Sequence, residues 1–404
     1  MSGHGKISVI GGGMSGICAA ILLARTGYEV TIYERQDRIG KKILLTGNGR
    51  CNLSNEEINV SFYQSSDNEK LKRILDNMSL SERDVFYKSL GISTCTMRGG
   101  IYPVSRQASS VIDALRFTLS ELNVNIVTGA KAVSVRKDLS IAFEDKSITS
   151  PAEAKAVIIA CGGKAGVYSE DKENGFKLLD NMGHSLNKTY PALTNLKCED
   201  DLKAVAGVRC DAALSLKTDE GTFCETGELQ LNKDSVSGIP VFQLSRYCRD
   251  ITACSLEADF LCFLNDPQEA YATRIQMYSG RRLEEFFAGW LNKKLAQYLI
   301  KRTGLKPTDI VRKSDMKKLY RTLTHCSFKI NGCGNYREAQ LMCGGVPLSE
   351  VSDSLESKRM SRVYLLGELL DVNGACGGYN LHFALCSAFA AYKAINAKGA
   401  SADV

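Results

Sequence analysis

Residues 6–36 read KISVIGGGMSGICAAILLARTGYEVTIYERQ, and the character of the chain changes three times within them. Ile7, Val9 and Ile10 make a short apolar run suited to a parallel strand covered on both faces. Gly11, Gly13 and Gly16 then fall in the G-x-G-x-x-G spacing, after which Ile17 to Arg25 read as a helix. Past Gly27, Tyr28 to Tyr33 form a second strand that ends on Glu34. The three glycines serve different ends. Gly11 permits the tight turn, Gly13 lets a pyrophosphate approach the backbone, and Gly16 lets the helix pack close to the strand. The helix N-terminus adds unpaired N–H groups and a positive dipole end, worth ~0.3–1 kcal/mol per anionic contact. Glu34, 18 residues beyond Gly16, stands where a carboxylate accepts both ribose hydroxyls. A glycine triplet alone could be a turn between packed elements. Strand, turn, helix and acid together predict a Rossmann-like dinucleotide site, and the acid favours FAD or NAD over NADP.

The uncharged run Ile7 to Ala24 approaches the length of a membrane span. Its four glycines and two serines favour the strand–turn–helix instead, and it starts too near Met1 for a charged signal-peptide region. A cytoplasmic protein without a membrane span is expected. The 404 residues, 44% hydrophobic and 24% charged, suit two or three globular domains and exclude disorder or a fibrous repeat. With 51 basic against 45 acidic residues the net charge is only +6, so the molecule is no polycation. Fifteen cysteines, odd in number and without a C-x-x-C pair, argue against a disulfide scaffold, a zinc ribbon or a redox dithiol. Most are read as small buried hydrophobes, and no metal ligand set is expected.

Further along, Thr46 to Asn55 read TGNGRCNLSN, a loop rich in small backbone and polar donors. It can wrap a pyrophosphate or the edge of a flavin, or be a polar surface turn. Ser109 to Leu122 suits an amphipathic helix; Val124 to Val127 and Ala132 to Val135 suit strands of a sheet continuing to about Ser150. Ala156 to Ala160 is a buried strand that ends in Cys161-Gly162-Gly163, where backbone contact rather than thiol chemistry is expected. Near the C-terminus Val363 to Leu366 form a strand leading to Gly367, Glu368 and Asp371. Gly374, Gly377, Gly378, Tyr379 and Asn380 follow, then a helix over Leu381 to Lys393. This second glycine turn also faces a helix N-terminus, which stabilises the negative charge that flavin reduction builds near N1 and the C2 carbonyl. No second acid-tipped strand–helix–strand unit is present, so one FAD held by both chain ends fits better than two nucleotide sites.

TGNGRCNLSN resembles the loop of a family of bacterial flavoproteins with two dinucleotide-binding domains, a family that includes aminoacetone oxidases and a reductase of unsaturated 3-oxo bile acids. The resemblance extends through RGGIYPVSRQASSVIDAL, KAVIIACGGKAG, GELQLNKDSVSGIP and the block from Gly344 to Ala391. It implies non-covalent FAD, with Glu368 at the ribityl or pyrophosphate part and Gly378 to Leu381 at the ring edge. The expected cofactor-binding set is Gly11, Gly13, Met14, Ser15, Gly16, Glu34, Arg35, Lys42, Thr46, Gly47, Asn48, Arg50, Cys51, Asn52, Val133, Cys161, Gly162, Gly367, Glu368, Asp371, Gly377, Gly378, Asn380 and Leu381. The chain departs from the family nearer the substrate. Leu231-Asn232-Lys233 stand where relatives often carry Phe-Thr-His, the following proline is shifted to Pro240, and His382-Phe383 replace a common Gln-Trp. Cofactor identity transfers; substrate identity does not.

The fold expected is α/β: residues 1–190 and 344–404 form the FAD-binding domain, and 191–343 an inserted substrate or cap domain. The insertion reads as a small β-barrel (about 191–264 and 324–343) plus helices (about 265–323). From Arg281 to Arg321 twelve basic residues face four acidic ones, a net +8 that exceeds the charge of the whole chain. This is a solvated helical face, or a dock for an anion such as a nucleotide phosphate, an acidic conjugate or RNA. Of four histidines, His4 is terminal and expected to be mobile, His184 structural and His325 near the return from the insertion. His382, in the first turn of the last helix, is either packed or beside the flavin.

These readings favour an FAD-dependent oxidoreductase that passes hydride from NAD(P)H through flavin N5 to an apolar conjugated carbonyl compound. Tyr102, Tyr379 and His382 are the proton-donor candidates. The alternatives are an amine oxidase that uses oxygen, a flavin-containing RNA-associated protein, and a flavoprotein that has lost activity. Oligomeric state is not legible from the sequence.

Overall fold

The apolar run at the start of the chain does form a strand, Lys6–Ile10, with Ile7 and Val9 wholly buried. In the computed structural model, which describes residues 4–151, 154–166, 174–249 and 254–402, this strand is the middle of a five-stranded sheet. Glu29–Glu34 and then Asn125–Thr128 lie on one side of it, Ala156–Ile159 and then Val363–Leu365 on the other. All four pairings are parallel. The C-terminal segment therefore adds a strand to the sheet that the N-terminus begins. Because the chain builds outward in both directions from Lys6–Ile10, the order reverses at that strand's carboxyl end, where open α/β sheets bind ligands.

The chain divides into two compact units, Met1–Tyr190 with Gln340–Val404, and Pro191–Ala339. In the first, helix Met14–Arg25 is buried from Met14 to Leu23, covered by the sheet on one side and helix Tyr379–Ala402 on the other. Gly16 makes the close approach possible: a Cβ there would lie 2.1 Å from the Gly11 carbonyl oxygen and 3.3 Å from Ala160 Cβ. One expectation needs correction. Ala132–Val135 does not extend the main sheet but pairs antiparallel with Ile141–Phe143 as a separate two-stranded piece. The chain leaves the sheet at Gly129, whose φ of +69° turns it back so that the Ala130 N–H reaches the Glu34 carbonyl at 2.9 Å.

The second unit is a closed barrel of six strands in the order Leu196–Cys198, Ser235–Ser237, Gly221–Leu231, Arg209–Thr218, Ser255–Asp259 and Cys326–Cys333. Alternation along Arg209–Thr218 sends Ala212, Leu214 and Leu216 inward. Helices Pro267–Met277, Leu283–Phe287, Lys293–Arg302 and Lys313–Thr324 leave between the last two strands, and their apolar faces share one core with the barrel through Phe286, Leu299 and Leu319. Eight of the fifteen cysteines are buried and only Cys224 is exposed, as expected of thiols used as apolar filler.

Candidate active site

At the carboxyl end of Lys6–Ile10 the Gly11 N–H bonds the Tyr33 carbonyl at 2.8 Å, locking the turn to the second strand. Gly11 has φ +108°, and a Cβ on it would lie 2.4 Å from the Ala160 carbonyl oxygen. Gly13, by contrast, would place a Cβ in open space, with no atom within 4 Å. It caps helix Met14–Arg25 without a side-chain hydrogen bond, and no acid lies in the first turn. The first N–H groups of the helix thus face room for an anion. Glu34 accepts the Gly12 N–H at 2.7 Å through one carboxylate oxygen and the Gln36 N–H at 2.8 Å through the other. Each oxygen keeps a lone pair for a hydroxyl. A cleft opens here, lined by Gly11, Tyr33, Glu34, Arg35, Ala132, Cys161 and Gly162, among others. Burial, with Glu34 close by, pushes the Cys161 thiol up to about 12, so it is no nucleophile at neutral pH.

The two chain ends close on this turn. A Cβ on Gly367 would lie 2.6 Å from Ser15 Oγ, in the first turn of the helix. Lys42 Nζ stands 2.5 Å from Glu368 Oε2, while Glu368 Oε1 accepts the Met342 N–H at 3.1 Å. The TGNGRCNLSN loop is bent through left-handed backbone at Gly47, Asn48, Gly49 and Cys51, and Gly47 to Arg50 are exposed. Thr46 turns its hydroxyl onto the Ile43 carbonyl at 2.6 Å. Cys51 is fully buried and its thiol is raised to about 11 by that burial. Asn52 is the hinge between the loops: atoms of its side chain lie 2.8 Å from a Cβ on Gly100 and 2.7 Å from one on Gly378. Its Oδ1 is buried and has no hydrogen-bond partner among the described residues, which suits a ligand donor at that point. An open Gly13, uncapped helix N–H groups and an orphaned acceptor in the second loop all fit a dinucleotide with a donor-bearing ring.

The HI0933-like protein Rossmann domain matches residues 5–394. The chain belongs to that family. It is an FAD-dependent oxidoreductase with a Rossmann-like FAD domain. Among relatives, the 3-dehydro-bile acid delta(4,6)-reductase of Clostridium scindens is 36% identical over 403 residues, covering 96% of this chain and 98% of its own. The ribosomal RNA dihydrouridine synthase of Haemophilus influenzae is 26% identical over 409 residues, covering 96% and 98%. The structure of the 3-ketosteroid-delta4-(5alpha)-dehydrogenase from Rhodococcus jostii RHA1 superposes with a TM-score of 0.51 over 96% of each chain, at 13% identity, which speaks for the fold.

Within this family fold, the three proton-donor candidates occupy different settings. Tyr102 is half-buried on strand Gly100–Pro103, with its ring 2.9 Å from a Cβ on Gly100 and 3.6 Å from one on Gly47. No partner bonds its hydroxyl among the described residues. Tyr379 is buried, stacked on Phe62 at 4.6 Å with Tyr63 at its edge, and burial raises its phenol. His382 is 1% exposed and turns Nδ1 to Ser54 Oγ at 2.8 Å. Burial, and then the Arg83 charge, hold its imidazole down at about 3, so it is neutral and packed.

Several other expected residues tie loops together. Asp371 accepts the Gly344 N–H and the Asn187 amide at 3.1 and 2.7 Å. Asn380 pins the glycine turn through the Gly374 N–H and carbonyl, at 2.8 and 2.9 Å, beside half-buried Leu381. Gly377 and Gly378 hold φ values of +129° and +95°. Val133 shows its side chain to solvent; Ala130 and Ala132 line the cleft. His184 is buried between Glu350 and Ser357, and His325 is exposed at the end of helix Lys313–Thr324. The His4 ring packs on Tyr28 at 5.5 Å. Sequence reading passed over Arg83, which is 5% exposed and reaches both Ser54 and Asn55. Its helix, Leu80–Ser89, is polar in composition, and only the tertiary contact reveals it. No helix of the described residues is long and apolar enough to cross a membrane.

Proposed function

We propose that the protein reduces a carbon–carbon double bond conjugated to the carbonyl of an apolar, steroid-like molecule, with NAD(P)H as the electron donor. The setting of Tyr102 carries the reading: a half-buried phenol whose ring lies, like the Asn52 side chain, against Gly100 and reaches Gly47 of the TGNGRCNLSN loop, with its hydroxyl uncommitted among the described residues. The identity with a bile-acid reductase over nearly the whole chain supports the substrate class. When bound, FAD would supply hydride transfer. The chain's own residues hold the cofactor at Glu34, Gly13 and Glu368, orient the ring through Asn52, and deliver one proton from Tyr102 Oη to the carbon next to the carbonyl. The net reaction consumes NAD(P)H, one proton and the enone, and releases NAD(P)⁺ and the saturated ketone.

Anaerobic titration tests this. NADH or NADPH is expected to bleach the flavin and an unsaturated 3-oxosteroid to restore its colour. Tyr102→Phe should slow the second step ~10²–10⁴-fold while leaving bleaching intact. Bleaching by a small amine alone, with recovery in oxygen, would support the oxidase reading instead. Indifference to both nicotinamides would remove the donor from the proposal.

A second substrate carrier follows from one surface observation. Uracil holds the same reacting unit, a C5=C6 bond conjugated to the C4 carbonyl, and a relative of this chain is named a ribosomal RNA dihydrouridine synthase. Lys313, Lys317 and Arg321 lie on the exposed side of helix Lys313–Thr324 at successive four-residue steps, about 6 Å of rise apart. None has an ion-pair partner among the described residues, so the stripe suits a phosphate backbone.

A further inference from the structure

Arg83 is a buried cation linked through Ser54 and Asn55 to the second glycine turn. Its side chain is 6% exposed, whereas that of Asp84, which it meets at 2.8 Å, is 58% exposed and faces screening water. The inward nitrogen Nη1 donates to Ser54 Oγ at 3.1 Å and to the Asn55 carbonyl at 2.8 Å. Asn55 in turn donates its amide to the Gly377 carbonyl at 2.9 Å. The Ser54 carbonyl oxygen would lie 2.3 Å from a Cβ on Gly378, so the two strands of chain touch there. Ser54 Oγ accepts from Arg83 and pairs with His382 Nδ1 at 2.8 Å, much closer than its 3.4 Å approach to the Asn55 carbonyl. His382 closes the circuit, since its backbone N–H bonds the Gly378 carbonyl at 3.0 Å. Every member is fixed by a neighbour, and Ser54, Arg83 and His382 are all buried. Hydrogen bonds of this kind gain strength away from water and transmit the charge at one end to the other.

We propose that Arg83 is a positioning residue that tunes the cofactor: acting through Ser54, Asn55 and His382, it fixes the Gly377–Gly378 turn and places a buried positive charge behind it, so that the reduced flavin is held more tightly than the oxidised one. The inference rests on the reading that the flavin ring edge lies at that turn. The charge works in the same sense as the N-terminus of helix Tyr379–Ala402, which carries no acid in its first turn. Both favour the negative charge that reduction adds to the ring.

The test is the midpoint potential of the purified holoprotein, measured by equilibration with reference dyes, together with the dissociation constant of oxidised FAD from the apoprotein. Arg83→Gln is expected to weaken binding of reduced relative to oxidised flavin about tenfold, which lowers the two-electron potential by about 30 mV. Ser54→Ala, a smaller change that keeps the arginine, should move the ratio in the same direction and covers the case in which Arg83→Gln does not fold. Arg83→Lys keeps the charge but not the forked donor, and should fall between wild type and Arg83→Gln. Wild-type ratios in Arg83→Gln and Ser54→Ala, or a fall in Arg83→Lys as large as in Arg83→Gln, would overturn the proposal and leave a packing role. A folded wild-type protein that binds no flavin would instead sink the cofactor reading, and this inference with it.

Discussion

Lys42 Nζ stands 2.5 Å from Glu368 Oε2, an ion pair that spans 326 positions of sequence and joins the N-terminal nucleotide half to the C-terminal one. Both side chains keep some solvent access, 37% and 22%, so the pair is worth at most about 1 kcal/mol of stability. Its greater effect should be on FAD affinity, because the same carboxylate holds the Met342 N–H. Lys42→Met should lower the melting temperature slightly and weaken FAD about tenfold, since hydrogen bonds to charged groups contribute about 1.5–3 kcal/mol. Glu368→Ala should cost more than Lys42→Met, and the double variant less than the sum of the two. Strictly additive losses of FAD affinity would show that the two residues act apart.

Gly13 and Gly16 make opposite predictions although they belong to one motif. Gly16→Ala drives a methyl into the Gly11 carbonyl at 2.1 Å and should destabilise the apoprotein by about 1–3 kcal/mol. Gly13→Ala meets no protein atom within 4 Å, so the apoprotein should melt at its normal temperature while FAD binding is lost. Thermal melts with and without FAD check both. A Gly13→Ala protein that binds FAD normally would mean that the pyrophosphate does not cross that residue.

What could be read from the sequence was whatever local pattern dictates. The glycine triplet, the acid closing the second strand and the C-terminal glycine turn are short-range devices, and each sits where its neighbours require it. The split of Asn125–Thr128 from Ala132–Val135 was not legible, because one glycine, Gly129, decides which sheet the chain joins. The barrel of the insertion was legible, but two of its strands were not: Leu196–Cys198 and Ser235–Ser237 are only three residues long, and their partners are distant in sequence. Arg83 lay deepest of all. The run SERDVFYKS looks solvated, and its burial comes from Ser54 and Asn55, 29 and 28 residues away.

His382 gives a pH signature. Its folded pKa of about 3 lies below the ordinary 6.5, so between those values the unfolded chain binds a proton that the folded chain refuses. The contribution is fully present above about 6.5 and is lost as pH falls towards 3, with a limiting slope of about 1.4 kcal/mol per pH unit. Glu350, held at about 2 by Arg359, acts only below its ordinary 4.5, where its stabilisation fades as pH drops. In the window from 6.5 to 4.5 the histidines act, with buried His184 shifted in the same direction, while Glu225, raised by burial, works in the opposite sense. His382→Gln keeps an acceptor for Ser54 but cannot titrate. Its melting temperature should fall less steeply across that window than that of wild type, and identical slopes would place an ionising His382 in contact with water.

The basic helix separates the two substrate carriers. Lys318 donates to the Thr303 carbonyl at 2.6 Å and is committed to its own fold, whereas Lys313, Lys317 and Arg321 are exposed and free of ion pairs among the described residues. Reversing those three to glutamate should leave folding and turnover of a small enone unchanged, because the side chains point to solvent. If RNA is the carrier, the same change should weaken binding of a uridine-containing oligonucleotide and reduce the slope of log affinity against log salt by about 2, three lost contacts at about 0.7 each for a single strand. Unchanged RNA affinity in the triple variant, or a wild-type affinity indifferent to salt, would leave the stripe as a solvated face and the apolar ketone as the substrate.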